Sequence, residues 1–294
     1  MQYPELPWPD YLRMVRLFVT LGIEKVRITG GEPLLRRGVV DFVREVAQLR
    51  TLQDQAVDVA ITTNGHLLAD LAKPLKKAGL RRVTVSMDAV DPEKFACVTR
   101  VPGSHEAVLA GLRAARDAGL SPMKVNCVLL RGFNDDQIVP FARFAREENV
   151  VVRFIEFMPL GEDRQWSPAR VVPLEEVVAR IRAWQPLHEI AHQPSETARR
   201  YRFDDGAGEI GIIAPVSHPF CGQCSRVRVT SDGKIRTCLF STFEHDLAGQ
   251  TRYGASDSEL AAWIATVIMA KEERHHIGEP DFQPASRTMV HIGG

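Results

Sequence analysis

Short apolar runs alternate with amphipathic stretches through the first half of the chain. Residues 25–29 (KVRIT), 58–62 (DVAIT), 82–86 (RVTVS), 124–129 (KVNCVL) and 151–157 (VVRFIEF) are rich in Val and Ile and are bounded by turn residues. That is the pattern of buried strands. Between and around them, residues 11–21, 39–49, 67–78, 105–118 and 135–148 carry apolar side chains three and four apart, as in Val39, Phe42, Val43, Val46 and Leu49. This spacing predicts helices. Gly22, Gly79 and Gly119 follow three of these helices, where a residue without a Cβ lets the chain leave in a left-handed turn.

Regular alternation of strand and helix implies parallel strands joined by right-handed crossovers. Five such units are too few to close an eight-stranded barrel. The expected fold is therefore α/β, a partial, open parallel β/α barrel. A doubly wound open sheet is the rival, and periodicity does not separate the two. After about residue 185 the alternation stops. Residues 188–208 are polar and read as a connector, and a compact region with one long helix near 257–275 follows. The expected division is 1–185, the partial barrel, and 186–294, the carboxyl-terminal region.

Composition narrows the class. The 294 residues include 37 basic and 37 acidic ones, with 45% hydrophobic and 25% charged. Zero net charge argues against a nucleic-acid or membrane-surface partner bound broadly by charge, though not against one small anion in a local basic pocket. No apolar run approaches the roughly 18 residues of a membrane span, and MQYPELPWPD does not read as a signal peptide. Five cysteines at uneven spacing do not make a disulfide scaffold. The expectation is a cytoplasmic protein with reduced thiols.

Three of those cysteines, Cys221, Cys224 and Cys238, lie in CGQCSRVRVTSDGKIRTC with C-x2-C-x13-C spacing. Zinc is one reading, with His218 or His245 as a fourth ligand. An iron–sulfur cluster is the other, because three thiolates can hold it and leave one iron open. The turn sequence selects a register. A two-residue Asp232-Gly233 loop would oppose Cys238 to Val227. A three-residue loop, Ser231-Asp232-Gly233, with Gly233 left-handed, opposes Cys238 to Arg226. The second register puts Cys224, Cys238, Arg226 and Arg228 on one face and is the one expected. Two guanidinium groups there suit an anionic ligand such as a phosphate, or simply neutralise thiolates.

Each strand ends in a polar or glycine-rich stretch: TGGEP, TTNG, SMDA and MPLGED. In parallel α/β folds the chemistry gathers at these carboxyl ends. Taken singly, the residues have ordinary readings: Thr62 and Ser86 as caps, Lys124 as a solvated lysine, Met158 as core filler, the terminal glycines as a loose end. Cys97, Cys127 and the His275-His276 pair carry no expected role.

The ordered set RITGGEPLLRR, TTNG, VSMDA, KVNCVL, RFIEFMPLG, CGQC…C and Gly293-Gly294 resembles the GTP 3′,8-cyclases (MoaA family), radical S-adenosylmethionine (SAM) enzymes of molybdenum cofactor biosynthesis. The resemblance implies that a SAM-derived radical removes the ribose 3′ hydrogen of GTP and that the carbon radical attacks C8 of guanine. It implies SAM binding by Gly30, Gly31, Glu32, Ser86 and Met158. It implies GTP binding by Arg27, Thr62, Lys124, Arg226 and Arg228. Cys221, Cys224 and Cys238 would hold an auxiliary [4Fe–4S] cluster whose open iron meets the guanine. The Gly293-Gly294 end would enter the active site, where activity needs it. A homodimer and a reducing partner such as flavodoxin or ferredoxin are also implied.

The family has a second [4Fe–4S] cluster, which cleaves SAM, held by a C-x3-C-x2-C motif after the first barrel strand. No such motif occurs in this sequence. The resemblance therefore implies that the first strand, those cysteines and an amino-terminal arginine for GTP are missing. A truncated or misassigned start is the expected reason, and a split enzyme the rival. The chain alone is then expected to be an inactive GTP-binding fragment; a zinc-stabilised interaction module is a further alternative.

Overall fold

In the computed structural model, residues 5–160, 166–191, 196–280, 282–285 and 287–292 are described. The predicted units are present in order. Helix α1 (Trp8–Thr20) leads into β1 (Lys25–Ile28), followed by α2 (Val39–Ala47), β2 (Asp58–Thr63), α3 (Leu68–Lys77) and β3 (Arg82–Ser86). Then come α4 (Pro92–Thr99), α5 (Ser104–Asp117), β4 (Met123–Leu129), α6 (Ile138–Glu147), β5 (Val151–Glu156) and α7 (Leu174–Trp184). Gly22, Gly79 and Gly119 adopt positive φ of 95°, 103° and 73°, as the helix-ending role requires.

The stretch expected to be a connector is instead sheet. Strands β6 (Leu187–Ile190), β7 (Arg199–Phe203) and β8 (Glu209–Ile213) extend the five parallel strands into one open sheet of order β1-β2-β3-β4-β5-β8-β7-β6. β8 runs parallel to β5, while β7 and β6 turn back antiparallel. The polar residues misled because Arg200, Arg202 and Glu209 lie on a face that is not packed by helices. Arg200 forms a bidentate pair with Glu209 at 2.8 and 2.9 Å.

That one-sided character decides between the two α/β rivals. Val59, Ile61, Val83, Val85, Val125, Val152, Phe154, Ile210 and Ile212 point to the side covered by helices and are almost completely buried. Their neighbours in sequence, Asp58, Arg82, Lys124, Asn126 and Arg153, occupy the opposite face. A doubly wound sheet is covered by helices on both faces. Here only one face is apolar, and the other is the lining of an open half-barrel.

The remaining chain forms a second layer. A small sheet joins β9 (Arg228–Val229), β10 (Lys234–Arg236) and β11 (His245–Asp246), followed by α8 (Leu247–Arg252), α9 (Asp257–Met269) and α10 (Met289–Ile292). Helix α9 opens with a Ser256–Glu259 capping box and ends at Met269, short of the expected 275. Helix α1 ties the two layers together. Its Met14, Leu17 and Phe18 share an apolar cluster with Ile235, Leu247, Leu260 and Ile264. The Tyr11 hydroxyl donates to the Ser231 carbonyl at 2.6 Å.

Candidate functional site

Side-chain alternation along β1 to β5 sets the inner face. Arg27 donates to the hydroxyls of Thr62 (3.0 Å) and Thr84 (3.2 Å) on the neighbouring strands. Arg153 Nε donates to Asn126 Oδ1 at 2.9 Å. Gly211 lies directly opposite Arg153 in the β5–β8 ladder, and a Cβ there would come within 3.1 Å of the Arg153 stem. The missing side chain gives Arg153 its bed.

Carboxylates on this face are already committed, Asp58 to Arg82 at 2.6 Å and Glu209 to Arg200 at 2.8 Å. Arg82 Nε and Asp58 Oδ1 are buried with no hydrogen-bond partner among the described residues. The result is an excess of positive charge. Burial, reinforced by the charges of Arg153, Arg82 and Arg27, pushes the Lys124 ammonium down to about 8. Burial and the charges of Arg27 and Arg82 likewise push the Arg153 guanidinium down. A multiply charged anion laid across these groups would relieve both.

The strand-end loops meet at one edge of this face. Gly30 has φ of 121°, and a Cβ there would find nothing within 4 Å, so backbone is open to a ligand. Both Glu32 oxygens are engaged: Oε1 accepts from Leu34 N (3.0 Å) and the Thr63 hydroxyl (2.7 Å), and Oε2 from Asn64 N (2.6 Å). Glu32 thus pins the GGEP loop to the TTNG loop, which the sequence reading did not foresee. Ser86 is exposed at the end of β3. Asp88 just beyond it accepts from Val128 N at 2.8 Å, and burial raises its carboxyl to about 6. Met158 packs with Leu160, Cys238 and Phe240, which brings the loop after β5 to the cysteine hairpin. Glu156, only 2% exposed, accepts from the amides of Val216 (2.8 Å) and Ser217 (3.0 Å) and fixes the approach to that hairpin.

The hairpin has the expected register. Arg236 pairs with Arg228 and Ile235 with Val229, and the ladder ends there, two residues short of Cys238 and Arg226. Gly233 has φ of 78° and closes a turn in which its amide donates to the Thr230 carbonyl at 2.9 Å. Arg226 Nε donates to Cys224 Sγ at 3.3 Å. Burial and the charge of Arg226 push the Arg228 guanidinium down, opposed by Cys238 and Cys224 beside it. For Cys224 the cost of burial is outweighed by the charge of Arg226, so its thiol titrates below the ordinary value, whereas burial keeps that of Cys238 above.

All three cysteines are half-buried free thiols. The histidines weighed as zinc ligands are engaged elsewhere, His218 with Glu175 and His245 against the rings of Phe243 and Trp263. Among the described residues no three His, Cys, Asp or Glu side chains converge as a ready metal site.

The chain matches two family models, the radical SAM superfamily over residues 2–145 and Molybdenum Cofactor Synthesis C over residues 150–277. It is 43% identical to the GTP 3′,8-cyclase of Moorella thermoacetica over 96% of this chain and 85% of that one. It is 39% identical to the GTP 3′,8-cyclase of Syntrophomonas wolfei over 99% and 88%. The chain belongs to the GTP 3′,8-cyclase family.

Membership of this radical SAM family implies SAM and a [4Fe–4S] cluster. The donor set of the hairpin, three half-buried thiols beside Arg226 and Arg228, suits a thiolate-held cluster chemically. A cluster held by C-x3-C-x2-C does not fit this chain. Beyond the hairpin it has only Cys97, exposed on α4, and Cys127, fully buried within β4. Of the GTP 3′,8-cyclase residues expected from sequence, Arg27, Thr62 and Lys124 meet on the inner face, and Arg226 and Arg228 form a second group on the hairpin. Gly293 and Gly294 lie outside the described residues. Arg153, Thr84 and Arg82 were missed; the alternation RVTVS and VVRFIEF places polar side chains opposite the apolar ones and was the available signal. No helix among the described residues is long and apolar enough to cross a membrane.

Proposed function

We propose that this chain is a GTP 3′,8-cyclase component that holds GTP across the open face of the half-barrel, in the first step of molybdenum cofactor biosynthesis. One observation carries the reading: Arg27, Arg82, Lys124 and Arg153 crowd a single face on which Asp58 and Glu209 are already paired. The triphosphate would lie there, with Thr62 and Thr84 setting the direction of Arg27. Arg226 and Arg228 would steady the nucleotide from the hairpin, and Cys221, Cys224 and Cys238 would hold an auxiliary [4Fe–4S] cluster beside the guanine.

SAM, which Gly30, Gly31, Glu32, Ser86 and Met158 would hold, would supply radical chemistry at the ribose 3′ position only with a cluster that cleaves it. The chain's own contribution is orientation and shelter. Gly30 leaves backbone open to SAM, Glu32 fixes that loop, and Gly31, Ser86 and Met158 would complete the SAM site. Gly293 and Gly294 would serve the reaction, as the likeness to the family implies. A cytoplasmic homodimer supplied with electrons by a flavodoxin or ferredoxin completes the proposal.

The lack of a C-x3-C-x2-C run in the sequence favours a second reading, in which the chain as it stands binds GTP and does not cleave SAM. Anaerobic reconstitution separates the two. GTP binding is measured by calorimetry, and 5′-deoxyadenosine is measured after adding SAM and a strong reductant. GTP binding without deoxyadenosine supports the second reading; robust deoxyadenosine formation rejects it; no GTP binding rejects both. Metal analysis tests the cluster, since iron and acid-labile sulfide near four each argue against a zinc module.

A further inference from the structure

We infer that Arg287 is a positioning residue: it clasps the carboxyl-terminal segment to the turn of the cysteine hairpin and so sets that segment across the GGEP loop. This rests on the reading that the segment's end acts at the nucleotide. The Arg287 side chain is only 3% exposed. Its two terminal nitrogens donate to the two oxygens of Asp232, both at 2.9 Å, and the same guanidinium reaches both oxygens of Glu244 at 2.7 and 2.6 Å. A planar fork engaging two carboxylates is geometry that a lysine ammonium does not reproduce.

Both acceptors are fixed by the hairpin itself. The Thr230 hydroxyl donates to Asp232 at 2.6 Å, and Arg236 donates to Glu244 at 2.7 Å. The tail therefore docks onto a preset pair of carboxylates. Either side of the clasp, short contacts carry the tail to the strand-end loops. Ala285 bridges Leu160 in the loop after β5. Ile292 is completely buried with Leu239, Phe240 and Met158. Val290 stands 3.6 Å from where a Cβ on Gly31 would be, directly over the GGEP loop.

Hydrogen–deuterium exchange on the full chain, reconstituted anaerobically, tests the clasp. In Arg287→Met the amides of residues 288–292 and of the GGEP loop should exchange at least tenfold faster, while β10 and β2 to β5 stay within twofold of the wild type. Arg287→Lys, which keeps the charge and loses the fork, should fall between; it carries the test if the Met variant does not fold. Unchanged exchange in the tail overturns the inference. So does faster exchange in tail and hairpin together, because the ion pairs would then merely support the hairpin. GTP binding by the same wild-type sample reports on the cyclase reading separately, since its absence leaves the exchange contrast untouched.

Discussion

The molecule holds arginines in two ways. On the inner face of the half-barrel, Arg27 and Arg153 hydrogen-bond to neutral oxygens of Thr62, Thr84 and Asn126 and crowd Lys124. At the cysteine hairpin, Arg236 and Arg287 are 1% and 3% exposed but are paired with Glu244 and Asp232. The directions of titration separate the two groups. Burial and like charge depress Lys124 and Arg153. At the hairpin, burial is outweighed: Arg287 is raised by Asp232 and Glu244, and both carboxylates are held below their ordinary values by the arginines. A cation whose partners are built in serves as an anchor. Cations in excess on an open face are the feature on which the proposed anion site rests.

The largest expected contrast is in stability. Glu244→Gln leaves Arg236 and Arg287 deep in the protein short of a counter-charge and should cost about 3–5 kcal/mol in chemical denaturation. Arg153→Met, which removes a cation with no carboxylate partner among the described residues, should leave stability unchanged or raise it. Equal losses would collapse the distinction. The same Arg153→Met variant should weaken GTP binding by about 1.5–3 kcal/mol, the range for hydrogen bonds to charged groups; unchanged affinity in calorimetry would remove Arg153 from the site.

Gly233→Ala comes next. It strains a residue at φ of 78° and brings a methyl within 2.6 Å of Leu6 and 2.7 Å of Ala248. About 1–3 kcal/mol of stability should be lost, with GTP contacts on the inner face unaffected.

The smallest effect is the pH dependence. Lys124 titrates near 8 in the free protein. A bound anion favours its charged form, so GTP binding should take up protons around pH 8–9, and affinity should fall by up to about tenfold per pH unit above 8. The sign for folding is the reverse of the usual lysine case. Between about 8 and the unfolded value of 10.5 the unfolded chain holds more protons, so the stability contributed by Lys124 rises with pH there. Calorimetry in buffers of different ionisation enthalpy measures the uptake; proton release would contradict it.

Much of this was legible in the chain itself. The Val- and Ile-rich runs and the helix-ending glycines identified five β/α units. The Ser231-Asp232-Gly233 turn identified the register that pairs Arg236 with Arg228, because local loop geometry fixes hairpin pairing. The polar stretch at 188–208 was misread, because Arg200 and Glu209 satisfy each other on an open face and so leave no apolar signature. Thr62, Lys124 and Arg27 were named through family likeness; that Arg153 and Thr84 join them follows from five strands aligning in register.

By itself, then, the sequence determined what is local: strand and helix identity, turn type, and the cysteine spacing with its nearby arginines. These depend on residues a few positions apart. Only the tertiary structure decided which charges would be compensated. Arg153 and Arg287 are the same side chain with the same intrinsic preferences. One meets Asn126 and an open groove, the other meets Asp232 and Glu244, 55 and 43 positions away along the chain. Electrostatic energy depends on distance in space and on exclusion of water, and neither is written in the order of residues until the chain has folded.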